Sequence, residues 1–363
     1  MISKLVKSTN LLLIAVVVAG LALVLFFFTP TEPQEVDEDP SIKIYFADNI
    51  SAGHKRVIDA FNEQHRGRIE VVPINLPFTK FSTNERKQLL IRSLRSKNSR
   101  VDIFAVDIFW IPRFAKWCEP LVSHFTQTEL NDLLPEALQT CYYNDELVAL
   151  PLYIDIGVMY YRRDLLQDLP DFEEIEARLT QSITWEEFIA LSERTRLSGQ
   201  PFYVFPADNY EGLICSFIET LQGQNLSLFD GGSVQLDTPE ARRGLKLLVD
   251  LVNKYQMTPA AVTNFGEIDG YLFSLRNDAL FFRGWPGNLK PYLNQYGNKV
   301  RNTGVAALPH FAGHKPVAVF GGWNLMISKD SGKKSEVVKF LKFATSPEMQ
   351  KLLFDEMGYL PVN

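Results

Sequence analysis

From Ile42 to Val106 the chain alternates between two apolar periodicities, and that alternation restricts the fold more than any other feature. Ser41 to Ala47 puts Ile42, Ile44 and Phe46 on one side at every second position, which predicts a strand. After a polar loop from Asp48 to Gly53, Val57, Ile58, Ala60 and Phe61 keep helical spacing. Arg68 to Ile74 reads as a second strand, Asn84 to Leu94 as a second helix and Val101 to Val106 as a third strand. A β-α-β-α-β order predicts a parallel sheet with helices on its faces. Ligands of such sheets lie beyond the carboxyl ends of the strands. Here those ends open into loops beginning at Asp48, Leu76 and Asp107. The third loop, Asp107-Ile-Phe-Trp-Ile-Pro-Arg-Phe, offers an acid and, three residues on, Trp110. Trp110 alone reads equally as packing at a helix cap; the acid beside it turns the reading toward a site.

A second constraint lies at Pro151 to Asp164, an apolar and aromatic run interrupted by Asp155 and Gly157. A run this short, rich in Val, Ile and Tyr, predicts a buried strand. A carboxylate within it must be hydrogen-bonded or face a wet cleft, because burying it unpaired costs several kcal/mol. The strand is therefore expected to cross from one lobe to another, with Tyr153 and Asp155 looking into the cleft. Beyond it, Thr184-Trp-Glu-Glu187 is a capping box, and Thr238-Pro239 and Ser346-Pro347 each combine a cap residue with proline at the first helical position. Leu213 to Leu221 is apolar on most faces and predicts a buried helix. Phe202–Phe205, Asp278–Phe282, Val305–Leu308 and Leu325–Ser328 predict further strands, Val305–Leu308 leading the chain back to the first lobe. Arg283-Gly-Trp-Pro-Gly287 and Phe320-Gly-Gly-Trp-Asn324 join glycines to tryptophans, where backbone can approach a ligand.

The 363 residues carry a net charge of -6, which argues against a nucleic-acid partner. The most basic stretch, Arg86 to Arg100, reads as an amphipathic helix with a solvated basic face. Leu11 to Phe28 is uninterrupted hydrophobe with Lys4 and Lys7 before it and acids after it. This predicts a signal-anchor helix within residues 1–28 or a cleaved signal peptide, with the remainder outside the cytoplasm. Residues 29–40, proline-rich and acidic, read as a tether. An exported chain permits a disulfide between Cys118 and Cys141; Cys215 reads as a buried free thiol. No Cys/His spacing suggests a metal, and no motif suggests a cofactor, a phosphate loop or a hydrolase nucleophile.

These motifs, taken in order, resemble the family 1 extracellular solute-binding proteins, the sugar-binding components of ABC importers, and most of all their maltose/trehalose-binding branch. The resemblance rests on 101–114, 150–164, Thr-Trp-Glu-Glu at 184–187, Asn-Tyr-Glu-Gly-Leu at 209–213, Arg-Gly-Trp-Pro at 283–286, Gly-Gly-Trp-Asn at 321–324 and Thr-Ser-Pro-Glu at 345–348. It implies a type II α/β fold of two lobes, each a mostly parallel sheet flanked by helices, joined by hinge strands. It divides the chain into 41–152 plus 301–345 for the first lobe and 153–300 plus 346–363 for the second, with a C-terminus short for the family. By position it implies sugar contacts at Asp107, Tyr153, Asp155, Trp285, Gly322 and Trp323. Tyr210, Glu211 and Arg283 follow as further contacts, and Asp48 and Trp110 as weaker ones. The implied function is a non-enzymatic, monomeric receptor that passes a di- or oligosaccharide to ABC permease subunits at the outer face of the cytoplasmic membrane. Two other readings share the same site: a membrane-anchored sugar sensor, and a glycoside hydrolase using Asp107 with Asp155 or Glu211.

Overall fold

The computed structural model describes residues 41–96, 100–195, 199–226, 228–230 and 232–363. The expected anchor at 11–28 and the tether at 29–40 lie outside them. Among the described residues no helix is long and apolar enough to cross a membrane.

Among the described residues, nine strands build the two larger sheets. They are β1 (Ile42–Asp48), β2 (Ile69–Asn75), β3 (Ile103–Asp107), β4 (Leu150–Ile156), β5 (Val158–Arg162), β6 (Tyr203–Val204), β7 (Phe281–Gly284), β8 (Thr303–Ala306) and β9 (Phe320–Ile327). The first sheet has the order β2-β1-β3-β9-β4 and the second β8-β5-β7-β6. β1, β2 and β3 run parallel, as the alternation of strands and helices predicts. β9 enters antiparallel between β3 and β4. In the second sheet only β6 and β7 are parallel; β5 runs antiparallel to both its neighbours. The sheets are therefore mixed, because strands arriving from distant parts of the chain need not follow the direction that short β-α-β connections impose.

The capped helices follow their sequence signals. Ser82 and Glu85 form a capping box at Thr83–Arg95, and Thr184 and Glu187 form one at Trp185–Arg194. Thr238 caps Pro239–Asn253 through the Ala241 amide. Ser346 departs from its motif: its hydroxyl donates backward to the Phe343 carbonyl and leaves the helix Pro347–Met357 without a side-chain cap.

Two cores follow from the two sheets. Ile44, Phe46, Phe61, Leu90, Phe104 and Phe340 belong to the first. The second sheet is covered on both faces, and its strands divide as alternation requires. Met159, Tyr161, Tyr203 and Phe281 pack on one side, and Val158, Tyr160, Val204 and Phe282 on the other. The run from Pro151 is thus two strands, β4 in the first sheet and β5 in the second, with Gly157 between them. The return follows β8, ahead of Val319, whose carbonyl accepts from the Gly157 amide at 3.0 Å.

The expected partition shifts at three places. Tyr153 to Ile156, expected in the second lobe, complete β4 of the first sheet, so the crossing falls at Gly157 rather than after residue 152. β8 belongs to the second sheet rather than leading into the first. Residues 346–363 pack in the first core through Met349, Leu353, Tyr359 and Val362, because Leu360 bridges to Ile154 of β4. The Cys118–Cys141 disulfide that export would permit is not present. Each thiol is free and buried, and each donates to a carbonyl four residues earlier, Cys118 to Phe114 and Cys141 to Ala137. Cys215 is also free but only half-buried.

Candidate functional site

Central placement of β9 sets one row of side chains across the first sheet. Trp323 lies in register with Asp107 on one side and Tyr153 on the other. Residues opposite one another point to the same face. Farther along the row Gly321 is opposite Asp155. A Cβ on Gly321 would lie 3.7 Å from the Asp155 Cβ and 3.7 Å from Trp285 Cζ3, so Trp285 reaches over from the end of β7 to the edge of the first sheet. Gly322 has φ 152°, and a Cβ there would meet the Tyr153 carbonyl at 2.7 Å. The strands approach closely enough at that point that only glycine fits.

Two carboxyls of this row titrate above the usual carboxylate range. Burial pushes Asp107 up to about 6, assisted by the Glu211 carboxylate and opposed by the Phe109 amide and Arg86. The Phe109 N–H donates to Asp107 Oδ1 at 3.1 Å. Burial and then Asp107 push Asp155 up to about 8, with Arg283 pulling back. Arg283 itself is buried and bonded to Glu219, with Nη2 to Oε1 at 2.8 Å and Nε to Oε2 at 3.3 Å. Burial alone would lower its pKa, but the Glu219 carboxylate more than reverses that. Its guanidinium lies 4.0 Å from the Trp285 ring centroid, a cation–π contact that fixes the ring from behind.

Beneath Trp323 is a second buried charge pair. Arg86 Nη2 donates to Asp48 Oδ1 at 2.9 Å, with both side chains almost wholly buried. The Arg86 guanidinium sits 4.1 Å from the Phe78 ring and 4.6 Å from the Trp323 ring. Burial lowers the Arg86 pKa, and Asp48 offsets only part of that. His54 Nε2 stands 3.7 Å from Asp48 Oδ2. Burial lowers His54 below the usual imidazole value, which keeps it neutral.

The structure thus brings Asp107, Tyr153, Asp155, Arg283, Trp285, Gly322 and Trp323 to one edge between the sheets. Glu211, exposed at the start of the helix Glu211–Gln222, acts on Asp107 from the second lobe, and Tyr210 precedes it. Asp48 is not at that edge but below it, engaged with Arg86. Trp110 is packing: buried, it stacks on Phe114 and meets Trp323 edge to face at 6.0 Å. Tyr153 does not look freely into the cleft. Tyr359 stacks on it at 4.1 Å between centroids, held there by the bridge between Leu360 and Ile154.

Arg86 corrects the reading of its helix. It shares a stripe with Leu90 and Leu94, and the spacing of 86, 90 and 94 was the available signal. Glu219 was missed as well. The helix Glu211–Gln222 buries Gly212, Ser216, Glu219 and Thr220 as well as Leu221 and exposes Ile214, so its inner face is more polar than the apolar-in expectation, with Glu219 on it meeting Arg283.

The bacterial extracellular solute-binding protein model matches residues 47–351. The chain belongs to that family. A probable ABC transporter-binding protein of Deinococcus radiodurans is 26% identical over 333 residues, 88% of this chain and 76% of the relative. A mannitol-binding protein of Pseudomonas aeruginosa is 23% identical, covering 84% of this chain and 68% of its own. Among solved structures, maltose-bound MalE3 of T. maritima superposes with a TM-score of 0.78 at 29% identity, over 88% of this chain and 81% of that one. A solute-binding protein of Agrobacterium vitis with bound D-mannitol gives a TM-score of 0.69 at 20% identity, over 89% and 76%. This family member accordingly has the two-lobed α/β architecture of the extracellular solute-binding proteins.

Proposed function

We propose that this family member captures a neutral sugar or sugar alcohol between its lobes, outside the cytoplasm, and delivers it to an ABC importer. The observation that carries the reading is the edge where Asp155 and Trp285 meet beside Gly321, with Asp107 two positions along β9, opposite Trp323. Carboxyl groups exchange hydrogen bonds with hydroxyls, and a tryptophan face covers the C–H surface of a sugar ring at low entropic cost. Both buried arginines near this edge are already bonded to carboxylates of the protein, Arg86 to Asp48 and Arg283 to Glu219, which disfavours an anionic solute. Glu211 and Tyr210 supply polar groups from the second lobe, and Trp323 with Tyr153 forms the floor. The maltose complex of the T. maritima structure and the mannitol-binding relative support the solute class. The chain acts at the membrane surface, tethered by its N-terminal apolar segment or released from it. It holds its solute without cleaving it.

A thermal-shift panel of maltose, trehalose, longer glucans, mannitol and monosaccharides tests this. A ligand at about 100 times its Kd adds roughly 2.7 kcal/mol and raises the midpoint by degrees. One class of sugar or polyol is expected to shift it. Absence of any shift, together with absence of calorimetric binding, would overturn the reading, and turnover of an activated glycoside would overturn its non-enzymatic part.

A further inference from the structure

We propose that Glu219 is a positioning residue that joins both crossings between the lobes to the Trp285 platform, so that crossings and platform move as one body. Its Oε1 accepts from the Val319 amide at 3.2 Å and from Arg283 Nη2 at 2.8 Å, while Oε2 accepts from Arg283 Nε. Val319 lies on the returning crossing, immediately before β9. Gly157 lies on the outgoing crossing, between β4 and β5, and its amide donates to the Val319 carbonyl at 3.0 Å. A Cβ on Gly157 would lie 2.2 Å from Glu219 Oε1 and 3.1 Å from Arg283 Nη2. The outgoing crossing therefore carries no side chain at the one place where the carboxylate rests against it. The path is continuous: Gly157, Val319, Glu219, Arg283, and the Trp285 ring 4.0 Å from the guanidinium.

Rotation of the second lobe about its crossings must either carry Glu219 with Val319 or break a buried, charge-assisted bond. Such bonds are the stronger kind, and breaking one leaves a charge uncompensated in a dry setting. Moving the Trp285 ring displaces Arg283 and, through Glu219, the backbone of the return crossing. Arg283 Nη1 is buried and has no partner among the described residues, so a shift of Glu219 leaves it no substitute there. This inference rests on the reading that Trp285 faces the solute, but the bonding path can be tested without any solute.

The first arm is amide hydrogen exchange on the ligand-free protein. Arg283→Met removes the anchor of Glu219 without touching Val319. The Val319 and Gly157 amides are expected to exchange roughly tenfold faster or more, while amides of β1 and β2 keep their protection. Unchanged protection at Val319 and Gly157 would overturn the proposal, whatever the solute. Should Arg283→Met fail to melt cooperatively, Gly157→Ala, which pushes on the carboxylate from the opposite side, provides the same measurement at Val319.

The second arm uses the sugar or polyol identified by the panel above. Glu219→Gln and Gly157→Ala are each expected to weaken its binding roughly tenfold or more, beyond what their melting midpoints account for. Glu219→Asp is expected to recover part of the loss. A lowered midpoint with wild-type affinity in both variants would make the pair merely structural and overturn the proposal. Failure of the wild type to bind any sugar or polyol would overturn the solute reading, while the exchange arm would still decide the role of Glu219.

Discussion

Asp155 is held near a value of 8 by burial and by Asp107, so at neutral pH it is mostly protonated and can donate as well as accept. Asp107, near 6, is mostly ionised and only accepts. The two carboxyls stand on either side of β9, one able to donate and one only to accept. The linkage sign follows from the direction of the shifts. A carboxyl raised in the folded state makes that state the better proton binder. The stability attached to it is complete below the unfolded value near 3.8 and is lost as pH rises through the folded value. His54, lowered by burial, acts in the opposite direction below about 6.5, so the clean window lies above that pH. The melting midpoint of the ligand-free protein is expected to fall between about pH 6.5 and 9, and Asp155→Asn is expected to flatten that fall. An unchanged pH profile in Asp155→Asn would contradict this assignment. Asp155 was legible in the sequence because an acid inside an apolar strand demands an explanation. Arg86 was not read correctly, because a charge count does not reveal that its stripe is the buried one.

Among the elements, β9 determines most of the site. The glycines beside Trp323 announced a close approach, and Gly322 makes it against the Tyr153 carbonyl. Gly322→Ala forces a side chain into an unfavourable φ and a short contact, and is expected to cost about 1–3 kcal/mol or more in chemical denaturation. A midpoint within error of wild type would mean that β4 can retreat at that point. What the sequence did not disclose is where β9 inserts. Its partners lie more than 160 residues upstream, and its register depends on those contacts rather than on local propensity. Local chemistry had a similar limit at Ser346, which has the composition of a cap but finds a nearer carbonyl in the preceding helix.

For the whole molecule, the fold class and the existence of a crossing in the run from Pro151 could be read from the alternation of elements and from that apolar run, but not its position at Gly157, five residues beyond the expected boundary. The assignment of the C-terminal residues could not, since it depends on Tyr359 stacking on Tyr153 across the sheet. The C-terminal residues also touch the second lobe. Lys290 Nζ donates to the Phe354 and Asp355 carbonyls at 2.8 Å, at the negative end of the helix Pro347–Met357. Gly287 and Gly358 meet beside it with almost no space between their backbones. This contact links the lobes away from the crossings. Lys290→Ala is expected to broaden the interlobe distance distribution of the ligand-free protein, measured between paired spin labels, while stability changes by about 1 kcal/mol or less. An unaltered distribution would assign the restraint to the glycine contact alone.

The position of β9 also bears on how the molecule is made. It is the last of the nine strands to leave the ribosome, yet it is the one that joins β3 to β4. Until it arrives, the first sheet has two unsatisfied edges and Trp323 is missing from the core. The second sheet can close earlier, because all its strands lie between Val158 and Ala306. A chain built this way cannot complete its first sheet until the residues of β9, up to Ile327, have been synthesised.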